Sequence, residues 1–307
     1  MGSRRSLVLL ALLLVLLLVL VPALLIAPQT SDPWALVWSD EFNGAAGEQP
    51  DSASWTFEIG DGRSKGIPGW GNSELEYYTD SPANASFDGE GNLVITALEL
   101  DPALAPLCYY GTCQYSSARL ITEKKVEQQY GRIEARIKLP KGRGLWPAFW
   151  MLGSNLPEVG WPTSGEIDIM EHVGKEPANL YGTIHGPGYS GARGVSGKTS
   201  LASGALADDF HRYAIEWEEG QIRWFLDETN YFTTTVASLP GSSPWVFDHP
   251  FYLILNLAVG GGWPGRPDAT TQFPQEMRVD YIRIYRWQEP VTTYRLQLPF
   301  INQTSKE

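Results

Sequence analysis

The sequence predicts an all-β protein, a sandwich or barrel of many short strands. Short runs of alternating or β-branched residues recur along the chain, and glycine- and proline-rich turn signals separate them. Few windows hold a helical period for even about ten residues. With 31 Gly and 22 Pro among 307 residues, many turns are favoured over long helices.

The strand candidates are Leu93–Leu98, Arg132–Leu139, Tyr213–Trp217, Ile222–Leu226, Tyr252–Val259 and Val279–Trp287. Turn signals lie between them, such as Asp88-Gly89-Glu90-Gly91-Asn92 and Gly260-Gly261-Gly262. In Arg132–Leu139 the even positions are charged and the odd ones apolar, so one face is wet and the other packs on a core. The stretch Arg278–Arg286 mixes Val279, Tyr281, Ile282, Ile284 and Tyr285 with Arg and Asp, and reads the same way. Neither repeat nor low-complexity linker interrupts residues 34–287, which form one expected domain. Residues 288–307 read as an added edge strand or a loose end.

At the other terminus, Arg4 and Arg5 precede an apolar run from Leu7 to Val21, then Pro22 and Ala23–Ala27. Positive charge before an apolar stretch is the pattern of an export signal. The stretch is also of the length, about 20 residues, that spans a bilayer. Residues 1–27 are therefore a cleaved signal or an uncleaved membrane anchor. Both place the domain outside the cell, and release by cleavage is the preferred reading. Cys108 and Cys113 are the only cysteines, and their spacing allows a small loop-closing disulfide in an oxidising compartment. Two free thiols in a surface loop are the alternative.

The balance of 23 Lys+Arg against 35 Asp+Glu gives a net charge of −12, which repels phosphate backbones and excludes general nucleic-acid binding. A hydrophobic content of 43% supplies a core and excludes intrinsic disorder.

The segment Gly165-Glu166-Ile167-Asp168-Ile169-Met170-Glu171-His172 sets three acids among residues suited to a sheet interior. In a regular strand Glu166 and Asp168 share a face while Glu171 points away. A β-bulge near Met170 restores Glu171 to that face, and bulges cluster beside active sites. Three carboxylates so placed repel one another, which raises at least one pKa. Solvated acids on an exposed strand are the bland alternative, disfavoured by the apolar neighbours and nearby tryptophans. A hard-cation site is a second. A third is glycoside hydrolysis, which uses one carboxylate as nucleophile and one protonated carboxyl as acid.

This strand resembles the active-site signature of glycoside hydrolase family 16 in its bulged bacterial laminarinase form. Further matches follow in order: Trp38–Phe42, Trp70–Leu75, Tyr77–Thr79, Tyr130–Arg136, Gly144–Gly153, Gly182–Gly186, Asn256–Gly261 with Trp263–Gly265, and Val279–Tyr285. The resemblance implies a concanavalin A-like β-jelly-roll of two curved antiparallel sheets with a concave substrate cleft. It implies Glu166 as nucleophile, Glu171 as general acid/base, and Asp168 between them hydrogen-bonding the nucleophile. His185 is expected on the neighbouring strand, near Glu171 or the sugar, with a purely structural histidine as the alternative.

Trp146 and Trp150 share strand parity, and flat indoles stack on pyranose faces. Trp263 follows a glycine-rich turn and matches a substrate-contacting position of the family, as do Arg119 and Asn72. Asn256 in an apolar strand is costly unless bonded, which suggests a role in the cleft. Trp55, Trp217 and Trp224 are assigned to packing. Family members often hold one calcium away from catalysis. The matching positions are the backbone carbonyls of Glu41 and Gly91 and the carboxylate of Asp280, with a structural role. No cofactor is expected for catalysis.

The resulting expectation is a monomeric retaining endo-hydrolase of β-1,3-glucan, with mixed-linkage β-1,3-1,4-glucan as a second substrate. Rivals are action on another wall polymer such as a galactan, transglycosylation, and non-catalytic glucan binding. Binding-only relatives typically lose the catalytic acids, which are all present here.

Overall fold

The computed structural model describes residues 33–288. The expected export segment lies outside the described residues, as does the C-terminal tail beyond Gln288. Within Trp34–Trp287 two large sheets enclose one principal core. The first has eight strands. Its main path runs Val195–Ser200, Asn179–His185, Glu166–Glu171, Leu145–Gly153, Phe251–Val259, Arg119–Ile121 and Thr56–Phe57, and Glu127–Gln128 also pairs with Phe251–Val259. The second has ten, with Gly131–Lys138 and Gln275–Trp287 as central neighbours. Pairing is antiparallel except between Glu76–Tyr78 and Tyr115–Ser117. Helix is scarce among the described residues: Leu156–Val159 is a single α-turn, beside a few short 3₁₀ turns.

Alternation in the sequence explains which face each strand buries. Ile133, Ala135, Ile137 and Leu139 are buried, while Arg132, Arg136 and Lys138 face outward. Glu134 departs from the expected wet face, being only 5% exposed. It is covered on the outer side by Arg132 and by the Tyr281 hydroxyl, which donates to its Oε1 at 2.8 Å. The long last strand departs from simple alternation as well. Arg136 pairs with Tyr281 but Ile137 pairs with Val279, so Asp280 is an extra residue and the strand is bulged there. That extra residue sends Val279, Ile282 and Ile284 into the core and Tyr281 outward.

Trp55, Trp217 and Trp224 are core residues, and each buried indole N–H has an acceptor: Asp40 Oδ2, Phe247 O and Asp168 O. Burying such a ring without a partner for its N–H costs about 1–3 kcal/mol, so these bonds also fix ring orientation. Trp224 reaches from the ten-stranded sheet to the acidic strand of the other, at 2.8 Å. Gly182 makes room for it, since a Cβ there would lie 2.3 Å from Trp224 Cδ1. Cys108 and Cys113 form a disulfide that closes the hairpin of Leu107–Cys108 and Gly111–Thr112.

Candidate active site

The acidic strand Glu166–Glu171 lies between Leu145–Gly153 and Asn179–His185. Gly165 leads into it with φ 74°, a conformation that a side chain would strain. Along the strand Leu152 pairs with Glu166, Trp150 with Asp168, Phe149 with Met170 and Ala148 with Glu171. Ile169 has no partner in this ladder, so the extra residue sits there, beside Met170. Ile167, Ile169 and Met170 all enter the core. Glu166, Asp168 and Glu171 are left on the opposite, open face of the sheet.

Each carboxylate has its own partners there. Trp161 Nε1 donates to Glu166 Oε2 at 2.9 Å, and Trp146 Nε1 donates to Glu171 Oε1 at 3.1 Å. His185, paired in register with Glu166, brings Nε2 to 3.1 Å from Asp168 Oδ2 and 3.6 Å from Glu166 Oε1. It thus serves Asp168 and Glu166 directly, whereas Glu171 was one expected neighbour.

Burial and the neighbouring Asp168 charge raise Glu166 to about 7. Burial and the same charge hold Glu171 well above the usual carboxylate range. Burial disfavours the His185 imidazolium, but the hydrogen bond to Asp168 and the surrounding carboxylates outweigh it and raise the ring to about 9. Near neutrality, then, Glu166 is the first of the two glutamates to ionise while Glu171 keeps its proton. That ordering suits a nucleophile and an acid.

Ligand atoms of Glu166, Asp168 and His185 lie within 4.8 Å of one another, close enough for a cation. A protonated imidazole offers a donor to Asp168 rather than a lone pair to a metal, so charge balance by His185 explains the cluster as well.

The aromatic residues divide between the two ends of the strand. Beside Glu171, Trp263 packs edge-on against Trp146 and Tyr181, with centroids 5.4 and 5.0 Å apart. Its glycine turn is tied down by Gly262 N–H donating to Asn72 O at 2.9 Å. Trp150 donates to Asn256 Oδ1 at 2.7 Å, and Asn256 donates to the Tyr78 hydroxyl at 3.1 Å. Asn256 is therefore bonded and buried, and it holds Trp150. Arg119 was expected to meet sugar hydroxyls. It is 9% exposed, ion-paired to Glu58, and sandwiched between Trp70 and Trp150 at 4.4 and 4.9 Å. Asn72, exposed on its loop, donates to Glu74 Oε1 at 2.9 Å.

Trp161, Glu58, Glu74, Tyr78 and Tyr181 have no role assigned from sequence. Trp161 is an unplaced tryptophan shortly before the acidic strand, and Glu74 and Tyr78 lie inside the matching segments Trp70–Leu75 and Tyr77–Thr79. Glu58, Tyr78 and Tyr181 act through contacts with distant segments, and Glu74 through Asn72 and Tyr78 beside it.

Of the positions expected for calcium, Asp280 bonds through Oδ2 to Arg136 Nη1 at 2.5 Å, and the Glu41 side chain pairs with Arg283. Gly91 lies beside Asn43, whose Oδ1 would be 3.4 Å from an added Cβ.

Carboxyl groups of unequal proton affinity, set beside indole rings, are what breaking a glycosidic bond asks of a protein. Fold and site together define a glycoside hydrolase on a β-sandwich. The chain belongs to the glycosyl hydrolases of family 16, whose pattern residues 73–283 match. It is 41% identical over 263 residues to a beta-glucanase of Rhodothermus marinus, a match covering 83% of this chain and 86% of that protein. The laminarinase catalytic domain of Thermotoga maritima MSB8 superposes with a TM-score of 0.78 at 52% identity, covering 84% of this chain and 100% of that one. An endo-beta-1,3-glucanase of Pyrococcus furiosus gives 0.76 at 52% identity, covering 83% and 95%.

The ordering of the two glutamates predicts a bell-shaped dependence of kcat/KM on pH. Below the acid limb, set by Glu166 near 7, the nucleophile is protonated. Above the alkaline limb Glu171 has lost the proton it must donate. The limbs are macroscopic properties of the coupled set. Glu171→Gln should cost about 10²–10⁴ in rate on polysaccharide. With a dinitrophenyl glycoside, which needs no acid, it should keep the acid limb and lose the alkaline one. An alkaline limb that persists in this variant would remove Glu171 from the acid role.

Proposed function

We propose that this chain is a retaining endo-hydrolase of β-1,3-glucan of the laminarin type, with mixed-linkage β-1,3-1,4-glucan as a second substrate. The observation that carries it is the bulged strand, which places Glu166, Asp168 and Glu171 on one open face. A Glu166 oxygen attacks the anomeric carbon as the bond to the leaving sugar oxygen breaks, and Glu171 donates its proton to that oxygen. The glycosyl ester is then opened by water, whose proton returns to Glu171. The Asp168 carboxylate, held by His185, lies beside both glutamates and favours a proton on Glu171. No cofactor takes part.

Glucanases outnumber the one endo-1,4-beta-galactosidase among the named similar proteins, which supports glucan over galactan. The retained acids support turnover over binding alone. Hydrolysis and transglycosylation differ only in the second acceptor, and a product analysis on a polysaccharide panel tests polymer and acceptor together. An enzyme that releases no oligosaccharide from laminarin would contradict the substrate assignment.

We also propose export as a monomer, by cleavage of residues 1–27 or by anchoring through them. The apolar run and the disulfide support this reading. A structural calcium is proposed at Asp280 and the carbonyls of Glu41 and Gly91. The strands beside Glu41 and Gly91 both pair with the strand of Asp280, and carbonyl and carboxylate oxygens are donors of the kind calcium takes. Asp280 Oδ1 stays available while Oδ2 bonds Arg136.

Trp263 stacks within the aromatic group beside the acid and bonds no carboxylate through its indole N–H in the described structure. Trp263→Ala should therefore cost about 2 kcal/mol or more of transition-state binding on laminarin, roughly thirtyfold in kcat/KM. On a short aryl glucoside it should cost less. Trp146 also bonds Glu171, so Trp146→Ala should slow both substrates. Equal losses on both substrates for Trp263→Ala, with a falling Tm, would make Trp263 a packing residue.

Binding of calcium to the folded state alone stabilises it by about 2.7 kcal/mol at one hundred times Kd. In a domain of this size that corresponds to about 5–10 °C in Tm. Chelation should lower Tm by this order, and Asp280→Asn should weaken the response. A melting curve indifferent to chelator and to added calcium would rule the ion out.

A further inference from the structure

Glu74 and Glu76 lie behind the open face, 4% and 0% exposed, in the segment that joins the Asn72 loop to Tyr78. Backbone pairing to the end of the strand Phe251–Val259 fixes this segment, with Leu75 N–H donating to Val259 O at 2.7 Å. Glu76 Oε2 accepts from Val259 N–H at 2.7 Å, while Oε1 is sealed from solvent with no donor among the described residues. Glu74 accepts from Asn72 Nδ2 at 2.9 Å and from the Tyr78 hydroxyl at 3.3 Å, and its carboxyl also meets that of Glu76.

Two carboxylates in contact offer acceptors only, so their contact is a hydrogen bond only if one of them carries a proton. The surrounding groups agree. The nearest cation, Arg119, pairs with Glu58, and the other titratable groups facing the pair are the hydroxyls of Tyr78, Tyr109 and Tyr110. A buried dianion there would lack a cation of its own. Burial and the Glu74 charge accordingly hold Glu76 well above the usual carboxylate range.

From Glu74 a continuous chain of hydrogen bonds leads to the open face. It passes through Tyr78 and Asn256 to the Trp150 indole, at 3.1 and 2.7 Å for the last two links. A second branch leads directly to Asn72. We propose that Glu74 and Glu76 share one proton, and that this shared proton fixes the orientation of Trp150 and Asn72 as a sugar platform beside the catalytic acids. Glu76 is thus a positioning residue: it donates to Glu74, which holds Tyr78 and Asn72, and Tyr78 orients Asn256 beneath Trp150. The inference rests on the reading of the open face as the polysaccharide site.

Glu76→Gln replaces the shared proton by a permanent amide donor and keeps an oxygen for Val259. Glu76→Leu keeps similar bulk and removes the donor. Two readouts are taken: the Trp150 indole N–H resonance, assigned through Trp150→Phe, and KM on laminarin against kcat on a short aryl glucoside. Glu76→Gln should leave the resonance in place and KM within about twofold of the parent. Glu76→Leu should displace the resonance and raise KM on laminarin about tenfold, with kcat on the short substrate nearly unchanged. If Glu76→Leu does not fold, Glu74→Gln takes its place. It removes one of the two oxygens that Asn72 and Tyr78 share, and should likewise displace the resonance. A resonance unmoved by every variant, or displaced as far by Glu76→Gln as by the disruptive change, overturns the proposal. A parent that does not cleave laminarin overturns the glucan reading alone, since the resonance still decides the role of the pair.

Discussion

Like charges gathered on one half-buried face are the constraint on which the rest of this structure depends. Without the extra residue at Ile169, Glu171 would point into the core, where an unpaired carboxylate costs several kcal/mol. With it, three acids share a face and repel one another. The protein meets that repulsion with the donors of Trp161, Trp146 and His185, and with a proton retained on Glu171. The unequal proton affinities that chemistry needs are a direct consequence of crowding the acids.

The bulge in turn needs support, and it comes from the opposite sheet. Trp224 donates to the Asp168 carbonyl from within the core, and Gly182 leaves room for the ring. A residue that serves packing thereby fixes the backbone from which the central acid projects. The same logic operates behind the platform. Arg119 lies between two indoles, and Asn256 spends its amide on Trp150 and Tyr78. Polar groups under the open face hold the half-buried Trp150 ring in place.

Much of this was legible in the sequence, for reasons that differ by residue. The strands showed themselves through alternation, and the acidic strand through parity: Glu171 on the wrong face implied an extra residue, which the pairing places at Ile169. Trp55, Trp217 and Trp224 read as core and are buried. The exceptions arise where contacts outrank periodicity. Glu134 is charged yet buried because Tyr281 and Arg132 cover it, and Tyr281 reaches it only because the strand is bulged at Asp280. Arg119 is expected at the sugar because its position matches a family contact, while its partners Glu58, Trp70 and Trp150 come from segments far apart in the chain and show in no local pattern. The Glu74–Glu76 pair was hidden for a similar reason. Its significance lies in burial, in the Val259 backbone N–H that Glu76 accepts, and in the Tyr78 hydroxyl that links Glu74 to Asn256.

The central claim is the division of labour between Glu166 and Glu171, and azide rescue of the two alanine variants tests it most directly. On an activated aryl β-glycoside, Glu171→Ala should still form the glycosyl ester, and azide entering in place of water should yield the β-glycosyl azide. Glu166→Ala lacks the nucleophile, so azide should attack from its vacated side and yield the α-glycosyl azide. The opposite pairing of variant and anomer would contradict the account.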